Sequence, residues 1–160
     1  MIATLTKPAP LRRRAVKPRP LMPLSAVMWR LDRSENEVLA LIEEGSLLWA
    51  FDIREPKAVR TAPRVLSQSV KEFLSGHCSS ADDEVTEWQN VAKMIFPNQP
   101  TIVTCELARL LNCGRQHAMN LLYARQFKVA PGSHIRRGPG GSPWIEIASV
   151  KEWLRKRRMF

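Results

Sequence analysis

An internal repeat constrains this chain more than any other feature. Ser69-Val70-Lys71-Glu72-Phe73-Leu74 returns eighty residues later as Ser149-Val150-Lys151-Glu152-Trp153-Leu154. The same offset, without a gap, pairs Val27 with Leu107, Leu31 with Leu111, Val38 with Ala118 and Leu39 with Met119. It also pairs Leu41 with Leu121, Ile42 with Leu122, Ala50 with Ala130 and Val65 with Ile145. Apolar positions agree while most polar ones differ, the pattern of two copies of one fold whose surfaces have separate jobs. In 160 residues each copy must be a very small unit.

The second copy is the easier to read. Thr104 is expected to cap a helix through Leu111, with Leu107, Ala108 and Leu111 on one face. Asn112-Cys113-Gly114 reads as a tight turn, and Arg115 to Ala124 as a second helix burying Ala118, Leu121 and Leu122. Phe127 to Ala130 and Trp144 to Ile147 read as strands, separated by a Gly-, Pro- and Arg-rich loop from Pro131 to Ser142. Ser149 and Glu152 have the spacing of a capping box opening a last helix. In the first copy, Leu24 to Leu31 and a Ser34-capped segment to Glu44 are the helices, and Gly45 fits a left-handed helix end. Leu47 to Ile53 is its strand, Arg54 to Arg64 its basic loop, and Ser69 and Glu72 its second capping box. The expected fold is mainly α with small β-hairpin wings: two winged helix-turn-helix modules joined by a linker helix.

The expected organisation follows. Residues 1–20 form a flexible, basic, proline-rich arm, and 21–76 the first module. Residues 77–100 form a linker with a helix over 82–96, and 101–160 the second module. Asp82 caps the linker helix, whose stripe of Val85, Trp88, Ala92 and Ile95 either docks on a neighbouring core or makes a dimer contact.

Charge is unevenly spread across these segments. The net +10 divides into +6 for 1–20, −1 for 21–76, −3 for 77–100 and +8 for 101–160. Clustering of this kind suits phosphate binding by counterion release. No apolar run reaches the ~20 residues of a membrane helix, so a soluble, cytoplasmic, nucleoid-associated protein is expected. Cys78, Cys105 and Cys113 form no CxxC pair, which argues against a disulfide framework or a zinc site. Gly138-Pro139-Gly140-Gly141 lacks the Lys-Ser/Thr ending of a nucleotide loop, and Cys113 of a Cys113–His117 pair fills an apolar turn position. Neither an enzyme activity nor a cofactor or metal is expected.

Thr104-Cys105-Glu106-Leu107-Ala108-Arg109-Leu110-Leu111-Asn112-Cys113-Gly114-Arg115, with Ile42-Glu43-Glu44-Gly45-Ser46-Leu47 in the first copy, resembles the winged helix-turn-helix of bacteriophage excisionases and MerR-type regulators. The resemblance covers roughly 110 of the 160 residues and rests on short motifs. It implies double-stranded DNA as the partner. Where the family has glycine and a small apolar residue in the turn, the first copy has Asp32 and Arg33.

In this family the second helix enters the major groove with its first residues over the base edges. The base-reading candidates are therefore Arg115, Gln116, His117, Met119, Asn120 and Tyr123. Arg bonds guanine at two points, and Gln or Asn does so with adenine. A solvated helix face would mix Glu with Lys, and this one has no acidic residue. Wing or phosphate candidates are His134, Arg136 and Arg137 in the second copy, and Arg54, Lys57, Arg60 and Arg64 in the first. The arm offers Lys7, Arg12, Arg13, Arg14, Lys17 and Arg19, either to phosphates or only to solvent.

The first copy's matching helix carries Glu35, Glu37, Glu43 and Glu44, which oppose phosphate. That copy grazes DNA by its loop alone or binds protein. A homodimer or protein partner, through the acidic first module and the Trp88 helix, is the second expectation. The expected function is sequence-specific DNA binding by a transcriptional regulator or an excisionase-like architectural factor. The alternative is a phage assembly adaptor resembling a small terminase subunit.

Overall fold

A computed structural model describes residues 19–76, 84–135 and 142–159. The fold is mixed α+β, with seven helices and two small antiparallel sheets among the described residues. The first half runs β1 (Leu21–Pro23), α1 (Leu24–Leu31), α2 (Glu35–Glu43), β2 (Ala50–Asp52), β3 (Pro63–Leu66) and α3 (Ser67–Leu74). After α4 (Glu84–Ile95) come β4 (Thr101–Val103), α5 (Thr104–Leu110), α6 (Arg115–Tyr123), β5 (Trp144–Glu146), α7 (Ile147–Arg155) and β6 (Arg158–Met159).

The repeat in sequence is a repeat in structure. Strand β1 pairs with β3 from Leu21↔Leu66 to Pro23↔Arg64, and β4 pairs with β5 from Thr101↔Glu146 to Val103↔Trp144, the same register eighty residues on. Asp32 and Asn112 take the same left-handed backbone, φ 52° and 48°, in the two helix–helix turns. Gly45 and Arg125 do the same after α2 and α6, at φ 74° and 53°. A single left-handed residue ends a helix cheaply as Gly or Asn and at some strain as Arg.

Side-chain capping follows a different pattern from the one expected. Ser34 accepts from the Glu37 amide, and the Glu37 carboxylate takes the Ser34 N–H at 2.8 Å, a complete capping box. Ser69 and Ser149 make no such box, because α3 and α7 begin two residues earlier, at Ser67 and Ile147. The first helical N–H of each is already taken, Ser67 by Pro20 O and Ile147 by Pro100 O, as the chain leaves the sheet. Thr104 is likewise the first residue inside α5 rather than its cap; its Oγ1 is buried with no partner among the described residues. The strand expected over 127–130 reduces to one bridge, Val129↔Ile145, and the one expected over 47–53 to β2. Trp49 just before β2 is left-handed, φ 63°.

The apolar core crosses the boundary between the copies. Leu21, Trp49, Phe51, Ile53 and Leu66 belong to one cluster with Ala92 and Ile95 of α4 and with Leu107, Leu121 and Leu154 of the second copy. Trp88 packs against this cluster, 5.7 Å from the Trp49 ring and 6.1 Å from Phe51. Trp88, Ala92 and Ile95 of its stripe are therefore docked on the neighbouring core. Asp82 lies outside the described residues, and Val85 is placed only as part of α4. Strand β6, which the sequence did not announce, returns to the first copy beside β2, giving the order β1-β3-β2-β6. A smaller cluster around Val27, Val38, Ile42 and Val70 holds the first copy's helices, with Met159 of β6 packed against it. No described helix is long and apolar enough to cross a membrane.

Candidate nucleic-acid interface

Helix α6 presents its residues unevenly. Ala118, Leu121 and Leu122 are buried, as their 3.6-residue spacing requires. Arg115, Gln116 and Tyr123 are exposed, and Gln116, Asn120 and Tyr123 follow one another along a single ridge. His117, Met119 and Asn120 are half-buried, which corrects the expectation that all six face outward. Met119 packs against the shared core.

What covers His117 and Asn120 comes from the first copy. His117 Nε2 donates to Ile53 O at 2.7 Å, and its Nδ1 lies 3.3 Å from Glu55 Oε1. Asn120 Nδ2 donates to the same carboxylate oxygen at 2.9 Å, and Gln116 Nε2 donates to Asn120 Oδ1 at 2.9 Å. A chain of bonds therefore runs Gln116, Asn120, Glu55, and fixes the loop 53–62 beside α6. Lys57 and Arg60, two and five residues beyond Glu55, are exposed on that loop. Val59 at its tip is 94% exposed.

The other basic residues of the loop have structural partners. Arg54 pairs with Asp52 at 3.1 Å, and its carbonyl accepts from Arg157. Arg64 turns inward and donates through Nε to Leu111 O and Asn112 O, satisfying carbonyls at the end of α5. Burial lowers the Arg64 pKa without removing its charge. This corrects Arg64 from a wing residue to a tie between the copies. Arg19 does similar work, donating to Asn112 Oδ1 at 2.9 Å, while Asn112 Nδ2 donates to Leu21 O.

The two second helices differ most at their N-termini. At α2 the capping box fills the end with the protein's own carboxylate, and Arg33 pairs with Glu37 at 3.0 Å. Hydrogen bonds from Ser34, its backbone N–H first, hold the Glu37 carboxyl down at about 2. At α6 the N-cap is Gly114, with no side-chain bond and no acidic residue in the first turn. That end is open to an anion. Cys113 behind it is half-buried, and burial pushes its thiol up to about 11.

His134 is exposed. Arg136, Arg137, Arg12, Arg13, Arg14, Lys17 and Lys7 lie outside the described residues. The Glu55 contact had no sequence signal, since Glu55 and Asn120 are 65 residues apart. Compared with known proteins, the chain matches no family model, no curated protein and no solved structure.

Proposed function

We propose that the chain binds double-stranded DNA sequence-specifically through two winged helix-turn-helix copies, with α6 as the reading helix. The observation that carries this is the open, acid-free start of α6 with Arg115 and Gln116 exposed, on a helix that Glu55, from the loop bearing exposed Lys57 and Arg60, meets at Asn120. Arg115 suits the two acceptors of guanine, and Gln116 the donor–acceptor pair of adenine. Lys57 and Arg60 supply phosphate contacts, which set register without reading sequence. Arg136, Arg137 and the basic arm add to that clamp. The closed, acidic start of α2 suits a copy that supports the reader from behind. Such a protein acts on DNA in the cytoplasm without a cofactor, as a transcriptional regulator or an excisionase-like architectural factor.

The test is selection of bound sequences from random duplex DNA, followed by a salt titration on the winner. If about six phosphates are neutralised, log affinity falls against log salt with a slope of roughly −5. A slope near zero, or no enriched sequence, overturns the reading, and a stable high-order ring in solution points instead to an adaptor resembling a small terminase subunit.

A further inference from the structure

A second surface lies elsewhere, in a groove of about 690 Å³ lined by both copies and by α4. Its rim carries Arg19, Arg30, Lys71, Lys93 and Arg109, against one carboxylate, Glu106. That carboxylate is already shared with Arg109 at 3.7 Å. Among the described residues no carboxylate pairs with Lys71 or Lys93, and both are exposed. The floor is apolar, formed by Leu66, Phe96 and Leu110, and Met94 beside it stands 57% exposed. The volume suits a few side chains, within the range of ligand clefts.

We infer that this groove docks an acidic, amphipathic segment of a partner protein. Charge complementarity selects an acidic occupant, because four cations remain once Arg109 is set against Glu106. The floor selects one that also brings apolar side chains, as a helix does when it lays Leu or Phe at i, i+3 and i+4 into a groove. Met94 suits such a contact, since its thioether adapts to varied apolar shapes. Duplex DNA matches the rim but leaves the floor unfilled. Single-stranded nucleic acid needs exposed aromatic platforms for stacking. The groove's one aromatic, Phe96, is 4% exposed, with Lys151 Nζ 5.8 Å from its ring centre. A second copy of this chain fits less well. Its acidic α2 exposes Glu35, Glu43 and Glu44, but none of the exposed large apolar side chains described lies on that helix.

The proposal does not depend on DNA binding and is tested apart from it. The probe is a fluorescein-labelled synthetic helix of about 14 residues, with Glu and Asp on one face and Leu and Phe on the other. Its anisotropy is followed as full-length protein is added. Expected is saturable binding that weakens about tenfold or more in Lys71→Glu/Lys93→Glu and in Met94→Asp. All three positions are exposed, and circular dichroism checks that each variant stays folded. A control peptide with Ser and Gln replacing Leu and Phe should also bind about tenfold more weakly.

Four results overturn the proposal. They are no binding of the acidic peptide, equal binding by the charge-reversed variant, equal binding of the apolar-free control, and displacement by duplex DNA with the same dependence on Lys71 and Lys93. Self-association lost in Lys71→Glu/Lys93→Glu, read by analytical ultracentrifugation without peptide, assigns the groove to a second copy instead.

Discussion

At Gln116 the side-chain amide gives one hydrogen to Asn120 Oδ1, which leaves its second N–H and its Oε1 for a base edge. Asn120 accepts from Gln116 on its oxygen and gives one amine hydrogen to Glu55, so its amide is held half-buried against the first copy and has only one N–H and one lone pair left. Gln116→Ala should therefore cost about 1–3 kcal/mol on the preferred duplex and relax one base position, while Asn120→Ala costs less than about 1 kcal/mol in discrimination. Competition between specific and scrambled duplexes measures both. Equal losses would mean that Asn120 leaves Glu55 to read DNA. The sequence grouped the residues of this helix as one set of candidates, but which of them stay exposed and which are tied down depends on Glu55, a residue from the other copy. Cys113 gives a second check at this scale. With its thiol pushed up to about 11, only about one molecule in a thousand is thiolate at pH 8, whereas Cys105 is exposed. Iodoacetamide followed by peptide mapping should modify Cys105 first and reach Cys113 only in denaturant. Equal rates would show that the turn before α6 opens readily.

Among the elements, the helix starts separate what local sequence dictates from what the sheet dictates. Ser34 caps α2 because Glu37 lies three residues on and nothing else supplies the end. Ser69 and Ser149 have the same spacing to Glu72 and Glu152, yet those glutamates bond Gln68 and Lys156 instead. Ser149 joins two segments, donating to Glu146 O and accepting from the Lys128 amide. Ser34→Ala should thus lower stability by about 1 kcal/mol in urea unfolding, through loss of the cap. Ser69→Ala should not act through a lost cap. A Ser34→Ala protein as stable as the parent would remove the capping box as a determinant of α2. The Glu37 carboxyl follows in pH: its folded pKa is about 2 against an ordinary 4.5. Its contribution is complete above pH 4.5 and fades as pH falls towards 2. An NMR titration should find the midpoint near 2 in the parent and raised in Ser34→Ala, which loses the hydroxyl bond but keeps the backbone N–H and Arg33. For the same reason Glu35, not Glu37, is the carboxylate to remove when asking whether α2 opposes DNA. The loop 53–62 gives the other element test. Lys57→Ala and Arg60→Ala should weaken all duplexes alike and each reduce the salt slope by about one unit.

Across the whole molecule, the repeat made the helices legible but concealed β1, β4 and how the copies are joined. The apolar periodicity that marks a helix face is silent about which copy that face meets, and β6 is only two residues long. Yet residues 157–159 tie the end of the second copy to the first. Arg157 O accepts from the Asp52 amide, and its guanidinium donates to Arg54 O and lies 5.0 Å from the Trp153 ring. Arg158 stacks 4.2 Å from the Trp49 ring, where that residue's left-handed backbone stores strain that its packing must offset. Met159 closes over the first copy's own small cluster. Removing residues 157–160 therefore takes away a β2 hydrogen bond, two cation–π contacts and apolar cover, at a cost of about 2–4 kcal/mol. The cost should fall on the first copy, although the deletion lies at the far end of the second. Because one core spans both copies, the parent should unfold in a single transition, with tryptophan fluorescence and far-ultraviolet dichroism coincident. The shortened chain should unfold at lower urea, and hydrogen exchange should quicken at the Asp52 amide. Two separate transitions in the parent, or a deletion that leaves β2 protected, would show that each copy stands alone and that the shared core contributes little to holding them together.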